Sequence, residues 1–146
     1  MTRLEEEVEA RRRFGGARVA RLASVARDGS PHIVPVTFAL DGDGTVWWAV
    51  DDKPKRTRAL ARLSNIATEP RVSLLVDHYD DDWSALWWVR ADGVASVLRP
   101  GPDAERGLSL LAQRYAPYRE ARPSGPVVRV EVERWRWWSA VRSASS

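Results

Sequence analysis

Five of the ten residues from Lys53 to Arg62 are basic: Lys53, Lys55, Arg56, Arg58 and Arg62. Both of the chain's lysines fall here, among 23 basic residues in all. Pro54 suits the first turn of a helix, where a missing N–H costs nothing. Leu60, Leu63, Ile66 and Ala67 then recur at helical spacing. The pattern predicts a helix from Pro54 to about Ala67 whose opening turns carry the cations. That is the unfavourable end, because a helix N-terminus is already partly positive. A local rule broken without local gain marks a candidate site. Free backbone N–H groups, the helix dipole and the cations converge on one spot, and a phosphate would satisfy all of them. The plainer reading is a solvated basic face.

The eight tryptophans are the second chemical signal. Trp47-Trp48, Trp87-Trp88 and Trp137-Trp138 are tandem pairs on predicted strands, with Trp83 and Trp135 nearby. Adjacent strand residues face opposite sides, so each pair offers one ring inward and one outward. Core and dimer contact account for most of them; a ring edging a planar ligand accounts for the rest. His32 and His78 are far apart, and with Asp77 and Asp80 to Asp82 they match no metal-ligand spacing, so no metal is expected. No G-x-S-x-G elbow, P-loop or G-x-G-x-x-G turn occurs. A phosphate cradle with aromatic walls and no catalytic motif points to a planar, phosphorylated cofactor that carries the reaction itself.

The chain of 146 residues reads as one domain, 1–146. Its net charge of +3 hides 20 acidic among 23 basic residues, which argues against nucleic acid as a partner. With no cysteine, no apolar run long enough for a bilayer and a charged N-terminus in place of a signal peptide, a cytoplasmic protein without membrane contact is expected. Single-stranded nucleic acid is the remote alternative, through bases and exposed rings.

These residues need elements to hold them. A helix is predicted over 3–15, with acids early and arginines late. Arg18 to Ala26 and Pro31 to Leu40 form strands around an Asp28-Gly29 turn. Pro35 makes the second an edge or a bulged strand. Thr45 to Val50 and Arg71 to Tyr79 are further strands. Ser84–Val89 and Gly93–Leu98 form a long strand or hairpin interrupted near Asp92-Gly93. Asp103 to Ala116 is a helix and Pro117 to Pro126 a loop. Val127 to about Val141 is the last strand, with Val128, Val130 and Val132 on one side and Arg129, Glu131 and Glu133 on the other. Six or so strands with two or three helices predict a mainly β fold with flanking helices.

The stretches RVARLASVARDGSPHIVPVTFAL, VWWAVDDKPKRTRALARL and NIATEPRVSLLVDHYDDDW resemble the pyridoxamine 5'-phosphate oxidase-like superfamily of split β-barrel flavin and deazaflavin oxidoreductases. The closest resemblance is to its coenzyme F420-dependent branch and covers roughly residues 4 to 141. It implies a six-stranded antiparallel split β-barrel of the FMN-binding type, homodimeric, with the cofactor in a groove between subunits. Lys55, Arg56, Thr57 and Arg58 fall where the family binds the cofactor phosphate. Val34, Pro35, Val36 and Thr37 fall on the strand beside the ring, where backbone amides take part. Asp77 to Trp83 would border the groove.

The implied activity is hydride transfer between reduced F420 and a small-molecule substrate, with FMN as the alternative cofactor. A non-catalytic flavin, deazaflavin or haem carrier is the alternative function. No catalytic side chain is assigned; Tyr79, His78 and solvent are the candidate proton donors. Ala59 stands where many relatives place a polar residue. The chain closes on SAVRSASS, unlike the arginine-rich segment with which true pyridoxamine phosphate oxidases hold their substrate, so a different substrate is expected.

Overall fold

A computed structural model describes residues 1–50 and 56–141, with residues 56–60 as backbone only. Helix α1 (Arg3–Gly16) opens with a capping box: the Thr2 side chain accepts from Glu5 N–H, and the Glu5 carboxylate accepts from Thr2 N–H. This satisfies two donors the first turn would otherwise leave unpaired. Strand β1 (Ala20–Val25) turns back into β2 (Pro31–Val36), the turn carrying Gly29 at φ 86. Strands β3 (Ala39–Leu40) and β4 (Thr45–Ala49) form a second hairpin. Helix α2 (Arg56–Thr68) leads into β5 (Arg71–His78), and a 3-10 turn (Trp83–Ala85) into β6 (Trp87–Leu98). Helices α3 (Pro102–Arg114) and α4 (Ala116–Glu120) precede β7 (Val127–Ser139).

All strands join one seven-stranded antiparallel sheet in the order β2-β1-β5-β6-β7-β4-β3. Its two edges, β2 and β3, are consecutive in the chain and separated only by Thr37 and Phe38. Three Cα–Cα steps of ~3.8 Å cannot span more than about 11 Å. The sheet must therefore curl until its edges nearly meet, giving a split-barrel shape. The core fills its interior, with Phe14, Leu22, Phe38, Trp48, Leu74, Val89 and Val130 at 1% exposure or less.

The expected count of six strands is thus corrected to seven. Pro31–Leu40 is cut in two because its ends belong to opposite edges of the curled sheet. Pro35 does lie on an edge strand, where its missing N–H breaks no ladder. Two further corrections follow. The segment after α3 turns immediately into α4, with Pro117 in its first turn, where a loop was expected. The irregularity near Asp92-Gly93 does not interrupt β6. It is a bulge on β7, where Asp92 faces Arg134 and Gly93 faces Val132, leaving Glu133 extra. Only glycine fits at Gly93, since a Cβ would come within 2.3 Å of the Glu131 carbonyl oxygen.

The tandem tryptophans straddle the sheet, yet both members of the first pair are covered. Trp48 is in the interior core, and Trp47 is buried with Ala104 and Val127 beside α3. Helix α1 lies against three other tryptophans through arginine: Arg3 sits 5.0 Å from Trp137, Arg11 5.3 Å from Trp135 and Arg13 5.2 Å from Trp87. Among the described residues, no helix is long and apolar enough to cross a membrane.

Candidate functional site

The outward face of β2, β1, β5, β6 and β7 collects the residues free to meet a ligand. Burial alternates along these strands: Ala20, Leu22, Val72, Leu74, Val76, Val89 and Ala91 point in, so their neighbours point out. The cross-strand register then lines the outward residues into rows. One row runs Pro35, Arg21, Leu75, Arg90, Arg136. The next, toward the ends of β5 and β7, runs Asp77, Trp88, Trp138. On the other side lies Ile33, Ala23, Ser73, Asp92, Arg134. There the face dips into a groove of about 610 Å³ whose walls include Ala23, Ser73, Asp92, Gly93, Glu133 and Arg134.

The charge on this face is uneven. Arg90 donates to both Asp92 oxygens at 2.8 and 3.1 Å, and Ser73 Oγ donates to the same carboxylate at 2.7 Å. Burial alone would raise the Asp92 pKa. The hydrogen bonds from Arg90 and Ser73, with the charges of Arg90 and Arg134, outweigh it and hold the carboxyl below its ordinary value. Arg90 and Arg136 are directly opposed like charges, a pairing that destabilises a bare sheet. Among the described residues, neither Arg21 nor Arg136 forms an ion pair. On α2, Arg62 is half-buried, and burial lowers its pKa.

The sequence-predicted residues divide among these places. Pro35 and Asp77 stand on the outward face, in neighbouring rows. Val36 is 7% exposed and part of the core, and Val34 packs against that core, so only their backbone borders the edge. Thr37 lies in the break after β2, its hydroxyl 2.9 Å from the Tyr118 hydroxyl. Trp83 is 69% exposed on the turn joining β5 to β6. Lys55 lies outside the described residues, and Arg56, Thr57 and Arg58 are described as the backbone of the first turn of α2.

The acidic loop is engaged with itself. Asp80 accepts from Asp82 N–H, and Asp82 accepts from the Ser84 N–H and hydroxyl. Among the described residues, no group of three or more His, Asp or Glu could hold a metal. His78 is exposed and stacks on Trp87, with ring centroids 5.9 Å apart.

Sequence reasoning missed Arg21, Leu75, Arg90 and Arg136. Each looks ordinary on its own strand, and only the register makes them neighbours. Among the described residues, the face offers the Trp88 and Trp138 rings, two arginines without ion-pair partners and the edge strand β2.

A family model described as pyridoxamine 5'-phosphate oxidase matches residues 4–139. A search of curated proteins finds no match. Among solved structures, the chain is similar to conserved hypothetical protein Rv2991 from Mycobacterium tuberculosis, with TM-score 0.73, 23% identity and coverage of 96% of this chain and 86% of that one. It is similar to a FAD-binding protein from Mesorhizobium loti, with TM-score 0.66, 21% identity and 90% of each chain covered. It is also similar to HutZ, the heme storage protein from Vibrio cholerae, with TM-score 0.67, 18% identity and coverage of 94% and 95%.

Proposed function

This chain belongs to the pyridoxamine 5'-phosphate oxidase family, and we propose that within it the protein is a coenzyme F420-dependent oxidoreductase acting on a small organic substrate. The observation that carries this reading is the outward row in which Arg21 and Arg136 lack ion-pair partners among the described residues, beside Trp88 and Trp138. When bound, the deazaflavin supplies the hydride chemistry. The chain's residues bind, orient and exclude water. Edge strand β2 presents open backbone groups along Val34–Thr37. The tryptophans give a flat apolar surface, and the arginines neutralise an acidic tail.

The stretch Lys55, Arg56, Thr57 and Arg58, whose last three residues open α2, is the proposed phosphate cradle. Arg62, one turn beyond Arg58, adds a half-buried cation whose charge is disfavoured until an anion arrives. The working form is proposed to be a homodimer in which a second copy covers the outward face and closes the groove. Trp138, 46% exposed on that face, is the natural contact.

FMN is the alternative ligand of the same face. A haem or flavin carrier is the second functional reading, favoured by the exposed His78 imidazole on Trp87. Titration of the purified protein with F420, FMN and haemin, followed in the visible range, separates these. Micromolar F420 binding with turnover of a hydride acceptor supports the proposal. Binding without turnover of any acceptor favours a carrier, and binding of neither flavin nor deazaflavin removes the reading. Arg21→Ala and Arg136→Ala should each weaken cofactor binding about 10- to 100-fold, the value of one charge-assisted contact.

A further inference from the structure

Where the edge strand leaves the sheet, the α3–α4 corner supplies hydrogen bonds to the backbone of Phe38. Phe38 N–H donates to the Tyr115 hydroxyl at 3.1 Å, and Arg114 Nη1 donates to the Phe38 carbonyl at 2.8 Å. The Tyr115 hydroxyl has one proton to share between the Phe38 and Arg18 carbonyls, each 2.9 Å away. Arg114 Nη2 also donates to the Ala17 carbonyl. The Phe38 backbone is therefore held through both its N–H and its carbonyl, next to the Thr37 hydroxyl. That hydroxyl meets Tyr118 at 2.9 Å.

We propose that Tyr118 is a positioning residue that turns the Thr37 hydroxyl into a hydrogen-bond donor toward a ligand lying along β2. The proposal rests on the reading above that a cofactor ring lies beside this strand. The direction follows from acidity. A phenol is more acidic than an aliphatic alcohol and the better hydrogen-bond donor. In the proposed arrangement Tyr118 O–H donates to Thr37 Oγ1 and the Thr37 proton is left for a third group; the 2.9 Å contact itself admits either hydroxyl as donor. The ligand chemistry this selects is a planar heterocycle presenting a carbonyl oxygen.

Tyr118 also packs its ring against Tyr115, with centroids 5.7 Å apart. Tyr118→Phe keeps that contact and removes only the hydroxyl.

The experiment titrates the wild type, Tyr118→Phe, Thr37→Val and the double variant with F420 and FMN, recording the absorption band of the bound chromophore and the melting temperature of each protein. Tyr118→Phe should weaken binding about three- to tenfold and shift the band, with the melting temperature of the free protein unchanged. The double variant should bind no more weakly than Thr37→Val alone, because both changes remove one arrangement. Full affinity and an unshifted band in Tyr118→Phe overturn the proposal. So does additive weakening in the double variant, or a loss of affinity that follows a fall in melting temperature with the band unmoved. If the wild type binds neither chromophore, the functional reading and this proposal fall together. Binding by the wild type with an indifferent Tyr118→Phe sinks the positioning role alone.

Discussion

Asp41 shows how one carboxylate organises a corner of the molecule. It accepts from Asp43 N–H at 2.8 Å, Thr45 N–H at 3.0 Å and Trp47 Nε1 at 2.9 Å, and Arg106 approaches to 3.3 Å. Burial alone would raise its pKa. The donors, led by Trp47, outweigh burial and leave it below its ordinary value. A carboxyl whose pKa is depressed by folding stabilises the protein above its unfolded value of about 3.9. That contribution is lost as pH falls through the lower folded value. Asp41→Ala should cost about 1–3 kcal/mol, because it strands the buried Trp47 N–H. Urea unfolding at neutral pH measures this, and the difference from wild type should shrink as the pH falls through the lowered folded-state value. Asp80 and Asp82 likewise hold their own turn, accepting from the Asp82 N–H and from the Ser84 N–H and hydroxyl.

At the scale of elements, the bulge on β7 decides which side chains reach the outward face. Before Glu133 the positions buried in the interior core are Val128 and Val130; after it Trp135 is buried there and Trp137 packs on it. Without the extra residue, strand alternation would turn Arg134, Arg136 and Trp138 inward. Gly93 makes this possible by letting the β7 backbone approach. Gly93→Ala should destabilise the fold by about 3 kcal/mol, an overpacking cost taken against rigid backbone. Denaturant unfolding checks it, and an unchanged midpoint would mean the strands can part without loss. Helix α2 is a second case. Its apolar face docks through Ile66, 2% exposed, with Leu63 beside it. That docking commits the arginine-rich end to the sheet's neighbourhood.

At the scale of the whole molecule, the curled sheet leaves one face bare. Ile33 is 65% exposed and Trp138 46% exposed there, and Arg21, Arg90, Arg134 and Arg136 are among the arginines that share that face with them. A second copy laid over this face is the proposed dimer. Trp138→Glu should therefore shift sedimentation toward the monomer and weaken cofactor binding in parallel. A variant that stays dimeric with full affinity would place the contact elsewhere. Helix α1, by contrast, shows its Leu4 and Val8 to solvent and packs through Phe14 and its arginines.

Much of this could be read from the residues in order. The helix at 3–16, the Asp28-Gly29 turn, the edge position of Pro35 and the apolar strand at 71–78 follow from capping, turn chemistry and alternation, which act over a few residues. The basic opening of α2 was visible for the same reason, as a charge set against its own helix dipole. What tertiary structure alone decided is the meeting of distant segments. The cut at Thr37–Phe38 exists because the sheet curls on itself, and the Phe38 backbone there is bonded from Arg114 and Tyr115, more than 70 residues away. Arg21, Leu75, Arg90 and Arg136 become one row through register, and a single extra residue at Glu133 brings Arg136 into it. Local pattern determines which face a side chain takes relative to its neighbours. Only the packed sheet determines what lies across from it.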